Sequence, residues 1–172
     1  MPAKLADETY GVEEAKIAQI GEGDDAKTYA SLAAAIAAVT GTEQTTIKMI
    51  AADSYTGTNP ITVPAGKDVV LDLNGMTLSY VAENKNAQGK VQSDAFITVK
   101  GKLTVTDTST DKNGTITAQQ FTDWNSGSYT INVYSGEFIL TEGTIENTSA
   151  AGLAWPVNVG VYGSTAKATF NG

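Results

Sequence analysis

The stretch Ile61-Thr62-Val63-Pro64-Ala65-Gly66-Lys67-Asp68-Val69-Val70-Leu71-Asp72-Leu73-Asn74-Gly75-Met76-Thr77-Leu78-Ser79-Tyr80 decides the fold. Apolar residues alternate in three short runs: Ile61 and Val63, then Val69, Leu71 and Leu73, then Met76 and Leu78. Alternation over so few residues fits a strand with one buried face. Pro64-Ala65-Gly66-Lys67 breaks the first run from the second, and Asn74-Gly75 breaks the second from the third. Glycine and asparagine supply the positive φ that tight corners need. The stretch predicts strand, corner, strand, corner, strand.

Working outward, the same unit returns. Downstream come Phe96-Ile97-Thr98-Val99, a corner at Lys100-Gly101-Lys102, Leu103-Thr104-Val105, a longer corner from Asp107 to Gly114, and Thr115-Ile116-Thr117. A third unit runs from Ile131-Asn132-Val133 through Phe138-Ile139-Leu140 to Thr144-Ile145-Glu146, and a fourth begins at Val157-Asn158-Val159. The second corners align as Asn74-Gly75, Asn113-Gly114, Glu142-Gly143 and Asn171-Gly172, with glycines 39, 29 and 29 residues apart. Three strands and three corners per repeat fit one triangular coil of a parallel β-helix, in which stacked coils share one core. An antiparallel sandwich of the same strands is the rival, but it does not account for the constant order of corners. Leu71, Leu73, Ile97, Val99, Leu103, Val105, Ile131, Val133 and Ile139 are the expected inward positions.

Upstream, Tyr29, Leu32, Ile36 and Val39 recur at helical spacing among alanines, with Ser31 as N-cap and Thr40-Gly41 as the stop. This predicts a short capping helix near 31–40, laid over the N-terminal end of the coil. Residues 1–27 carry seven acidic residues against three lysines. They read as an acidic N-terminal arm, loosely held or forming one short strand. The domain expectation is therefore an arm at 1–27 and a β-helix domain at 28–172. Because the repeat halts at Asn171-Gly172 without a cap, the coil is expected to continue beyond the C-terminus or to be covered there by another subunit.

Tyr29-Ala30-Ser31-Leu32-Ala33-Ala34-Ala35-Ile36, followed by Ile61 to Lys67 and by Leu71-Asp72-Leu73-Asn74-Gly75-Met76-Thr77-Leu78, carries a resemblance. Residues 26–172 are similar to the right-handed parallel β-helix (pectate-lyase-like) repeat modules of bacterial surface and adhesin-like proteins. The resemblance implies an all-β fold with three strands per coil, an extracellular stalk or adhesin-like role, and no assigned catalytic residues. Residues 1–25 lie outside it.

Composition narrows the chemistry. Net charge is −8 and the basic residues are all lysine, so nucleic acid is not an expected partner. There is no cysteine and no histidine, which removes thiolate chemistry and the commonest general base and metal ligand. No apolar run is long enough to span a membrane, so no membrane insertion is expected, and the N-terminus lacks the apolar core of a signal peptide. Lyases on this scaffold resemble one another in using an Arg or Lys base beside carboxylate-held Ca²⁺, and its hydrolases in using clustered aspartates with a histidine. This chain has no arginine and no histidine.

Asp107-Thr108-Ser109-Thr110-Asp111-Lys112-Asn113-Gly114 resembles the oxygen-rich start of a Ca²⁺ loop. In the register from Asp107, Lys112 takes the glycine position; in the register that seats Gly114 there, Ser109 and Gln120 replace the acidic ends. A plain corner is the preferred reading. No metal and no cofactor is expected, with Asp107 and Asp111 the positions a cation would use.

Residues 81–95, 118–130 and 147–156 all connect the third strand of one unit to the first of the next. In stacked coils such connections emerge along one edge. They carry Phe121, Trp124, Tyr129 and Trp155 among amides and hydroxyls, a mixture that suits the C–H faces and hydroxyls of sugars. The same rings would equally serve to close the core at the coil edge. The expected function is a non-enzymatic structural or adhesion module at the cell surface, presenting this edge to a glycan or another protein surface. The alternatives are a virion fibre or decoration protein docking through the acidic arm, and a polysaccharide lyase. Homo-oligomerisation is a further expectation.

Overall fold

The computed structural model describes residues 3–4, 10–11, 14–57, 60–82, 94–119, 127–149, 154–160 and 165–171. β1 (Ala3–Lys4) and β2 (Tyr10–Gly11) form an antiparallel pair. Next come β3 (Ala18–Ile20), a 3-10 turn at Gly23–Asp25, β4 (Lys27–Tyr29), α1 (Leu32–Ala38), β5 (Gln44–Met49) and β6 (Asp53–Gly57). Strands then follow in threes: β7 (Ile61–Val63), β8 (Asp68–Asp72) and β9 (Thr77–Ala82), then β10 (Asp94–Val99), β11 (Lys102–Thr106) and β12 (Thr115–Gln119). A third set is β13 (Ser128–Val133), β14 (Glu137–Leu140) and β15 (Thr144–Asn147), and β16 (Ala154–Val159) and β17 (Lys167–Phe170) begin a fourth.

Members of each set go to different sheets. Sheet one is β7, β10, β13 and β16; sheet two runs β4, β3, β5, β8, β11, β14, β17; sheet three is β6, β9, β12 and β15. Every pairing between successive sets is parallel. That excludes the antiparallel sandwich. The described residues are mostly β, built of parallel stacked sheets with one short α-helix among them.

Columns of side chains in register make the core. Ile61, Ile97 and Ile131 form one column, and Val63, Val99 and Val133 the next. In sheet two Val69 pairs with Leu103 and Leu103 with Phe138, all buried. Tyr80 and Phe96 stack with centroids 5.0 Å apart, and Tyr55 tilts against Phe96 at 5.6 Å. Such rings bury large areas at a preferred centroid distance. Corners stack as tightly as strands: a Cβ on Gly136 would lie 1.8 Å from the Gly101 carbonyl oxygen, so no other residue fits there without movement.

Several expectations need correction. Phe138, not Ile139, is the buried residue of β14, and Ile139 is half-buried on the opposite face. Three consecutive apolar residues gave the alternation no phase. Tyr29 is not on the helix; it ends β4 and pairs with Ala18. The helix spans Leu32–Ala38, shorter than 31–40, and its C-cap is Val39. Residues 53–57, whose Asp-Ser-Tyr-Thr-Gly composition reads as a loop, form β6. Part of the expected arm is built into the sheet: Ile17 and Ala18 are buried, and β3 pairs antiparallel with both β4 and β5.

The helix is held at both its face and its start. Leu32, Ala35, Ile36 and Val39 are buried against β3, β4, β5 and β7. The first amides have no partner within any helix. Here Leu32 N–H donates to Asp53 Oδ2 at 3.2 Å, Ala33 N–H to Tyr55 Oη at 3.0 Å, and Ala34 N–H to Ser31 Oγ at 3.1 Å.

Candidate functional site

The long connections leave sheet three and deliver the chain to sheet one, so the first residues of β10, β13 and β16 mark a common edge. Tyr129 and Trp155 meet there. They are register partners on β13 and β16, with ring centroids 5.5 Å apart and planes inclined by 20°. Two residues further along, Ile131 pairs with Val157 in the core column, while the two rings lie outside that core and the buried side chains beside Tyr129 are Ser128 and Thr130. Gly127 makes room for them, since a Cβ there would come within 2.3 Å of the Tyr129 hydroxyl. Trp155 is 39% exposed on β16, the last strand of sheet one. Phe121 and Trp124 lie outside the described residues.

A polar clamp fixes the edge beside the rings. Asn147 Nδ2 donates to Ser128 O at 3.2 Å, Ser128 Oγ at 3.0 Å and Trp155 O at 3.3 Å, while Ser149 N–H donates to Asn147 Oδ1 at 3.1 Å. Thr130 Oγ1 donates to the Glu146 carbonyl at 2.7 Å. One amide thus ties β13, β15 and β16 together, and Ser128 and Thr130 are buried without an unmet polar atom.

Outward from the core columns, sheet one carries Thr62, Thr98, Asn132 and Asn158 in one register file. Asn158 Nδ2 donates to Asn132 Oδ1 at 2.9 Å, which leaves the remaining amide groups open to a ligand. Where the sheet turns its next corner, Lys100 Nζ sits 5.5 Å from the centroid of the exposed Tyr134 ring. Sequence reasoning passed over the asparagine file, although Ile131-Asn132-Val133 and Val157-Asn158-Val159 repeat it visibly.

The acidic corner is a structural centre. Asp107 is fully buried, and its carboxylate accepts the amides of Gly75 and Ser109 at 2.9 Å each and of Gly114 at 2.5 Å. Burial alone would raise its pKa, but Ser109 and the amides of Gly114 and Gly75 outweigh that and hold it below the ordinary aspartate value. Asp72 accepts from Asn74 N–H at 3.0 Å, Thr108 N–H at 2.9 Å and the Thr108 hydroxyl at 2.6 Å. Asp111 is exposed and stands apart. Among the described residues no three acidic or other ligating side chains gather as a metal site would need. Among them, too, no helix is long and apolar enough to cross a membrane.

Comparison with family models, with curated proteins and with solved structures found no match in any of the three.

Proposed function

We propose that the chain is a non-enzymatic structural and adhesion module at a bacterial cell surface, built as a right-handed parallel β-helix of pectate-lyase-like type. It presents the edge between sheets three and one to a glycan or to another protein. The constant order in which successive strand sets visit the three sheets supports the coil, and the strong right-handed preference of parallel crossovers supports its hand. The observation that carries the contact role is the stacked Tyr129–Trp155 pair at the common edge, framed by the Asn147 clamp. A flat ring pair suits a sugar, whose C–H face stacks, while the open amide groups of Asn132 and Asn158 on the same sheet suit its hydroxyls.

Binding of the chain to an array of glycans, with Trp155→Ala alongside, tests this reading. Retention of one glycan class that Trp155→Ala loses, with the melting transition kept, is the expected result. Equal retention by both proteins would remove the edge from consideration.

A further inference from the structure

Charge is distributed unevenly over the three sheets. On the outward side of sheet two, Asp68, Lys102, Glu137 and Lys167 follow one another in register with alternating sign. On sheet three, Thr77, Thr115 and Thr144 form one outward file, and Ser79, Thr117 and Glu146 the next. Glu146 is the single ionisable side chain at the outward positions of β9, β12 and β15. The outward file of sheet one is threonine and asparagine only. β-Branching explains why threonine sits on a strand. It does not explain the missing charges, because sheet two is built of the same kind of strand and keeps them.

The hydroxyl files are partly open: Ser79 donates to the Asp53 carbonyl and Thr115 to the Asn113 carbonyl, and the other threonines are not so engaged. Thr77 and Thr144 are exposed, and the side chains of Thr77, Thr117 and Thr144 donate no hydrogen bond within the described residues. Parallel strands place the rungs about 4.8 Å apart, with successive outward residues about 6.7 Å apart along each strand. The face is thus a rigid grid of methyl and hydroxyl groups that meets the loop edge where β9, β12 and β15 end.

We infer that the ligand of this edge is a neutral polysaccharide, and that it lies across the outward side of sheet three as well as against Trp155. The inference rests on the glycan reading above and narrows it. An acidic polymer would meet a chain of net charge −8 and, at the described outward positions of β9, β12 and β15, no cation to pair with. A neutral chain loses nothing by that, and its hydroxyls find donors and acceptors in every rung.

Affinity gel electrophoresis of the whole chain separates the possibilities, with a β-glucan, a xylan and a mannan as neutral probes and polygalacturonate as the acidic one. The expected result is retardation by a neutral polymer and not by polygalacturonate. Thr77→Lys with Thr144→Lys, both on exposed positions, should weaken the neutral interaction at least roughly fivefold by placing hydrated charges under the ligand, with an unchanged melting transition. Loss of binding in Trp155→Ala but not in the double variant would overturn this inference and leave the edge reading standing. Preference for polygalacturonate would overturn it as well. Retardation by none of the polymers would remove both.

Discussion

Tyr55 on β6 accepts the backbone amide of Ala33 at 3.0 Å, so a strand side chain does the work of a helix cap. Ser31 alone satisfies one amide of a seven-residue helix, and a helix that short is not stable by itself. Asp53 and Tyr55 supply the others and bind the helix to the third sheet. Burial, with Asp53 beside it, pushes the Tyr55 pKa up to about 12.

Tyr55→Phe should therefore cost about 0.5–1.5 kcal/mol in chemical denaturation at neutral pH, the usual net worth of one such bond. The pH dependence has a definite sign. The folded phenol has the higher pKa, so its contribution is whole below pH 10 and is lost as pH rises toward about 12. The gap between the wild type and Tyr55→Phe should close over that interval. A gap independent of pH would mean that the phenol does not titrate with folding.

Asp107→Asn should destabilise by about 1–3 kcal/mol at pH 7, because an amide cannot accept from Gly75, Ser109 and Gly114 without turning a donor on one of them. The folded carboxyl titrates below the ordinary aspartate value, so the unfolded state takes up its proton first. The advantage of the wild type is full above about pH 4 and shrinks as pH falls through the folded pKa. Denaturation midpoints of the two proteins between pH 2.5 and pH 7, in steps of about half a unit, would measure this.

The parallel stacked strands were legible because strand spacing is written locally: Val69, Leu71 and Leu73 alternate within five residues, and Asn74-Gly75 turns with φ of 49° and 77°. β6 was missed because Asp53-Ser54-Tyr55-Thr56-Gly57 has the composition of a turn and gains its pairing from β9, some 25 residues away. β3 was read at most as a short strand, since only Ala18–Ile20 pair and their partners lie on β4 and β5. Of the candidate site, a shared edge for Trp155 and Tyr129 was legible, but not their place on strands β16 and β13 rather than in the connections 147–156 and 118–130, nor their stacking. Which side chains become neighbours depends on register between strands. Thr108 and Asp72, 36 residues apart, form the 2.6 Å bond that no local pattern announces.

Gly136→Ala should be far more damaging than its size suggests. The added methyl would be driven into the Gly101 carbonyl, with both atoms belonging to stacked corners that cannot move alone. About 1–3 kcal/mol is the usual cost of such overpacking. Ser135→Ala, next door and exposed, serves as the control and should change the melting temperature little. Equal effects from the two would show that corner stacking is looser than the 1.8 Å approach requires.

The alternating file of sheet two makes the last prediction. Lys102 Nζ lies 3.2 Å from Asp68 Oδ2, and Lys167 Nζ lies 2.8 Å from Glu137 Oε1, with Glu137 the register partner of both lysines. Exposed pairs contribute little individually, but like charges directly opposite on adjacent strands repel. Lys102→Glu would place three carboxylates in consecutive rungs, from Asp68 to Glu137. The melting temperature should drop by about 2–4 °C in low salt, the shift that roughly 1 kcal/mol produces in a domain of this size. Much of that loss should return at 1 M NaCl, where screening extends only about 3 Å. Lys102→Met separates the causes, since it deletes the attraction without adding repulsion. If Lys102→Met and Lys102→Glu melted together at every salt concentration, the file would be a consequence of composition and not a device that holds the register.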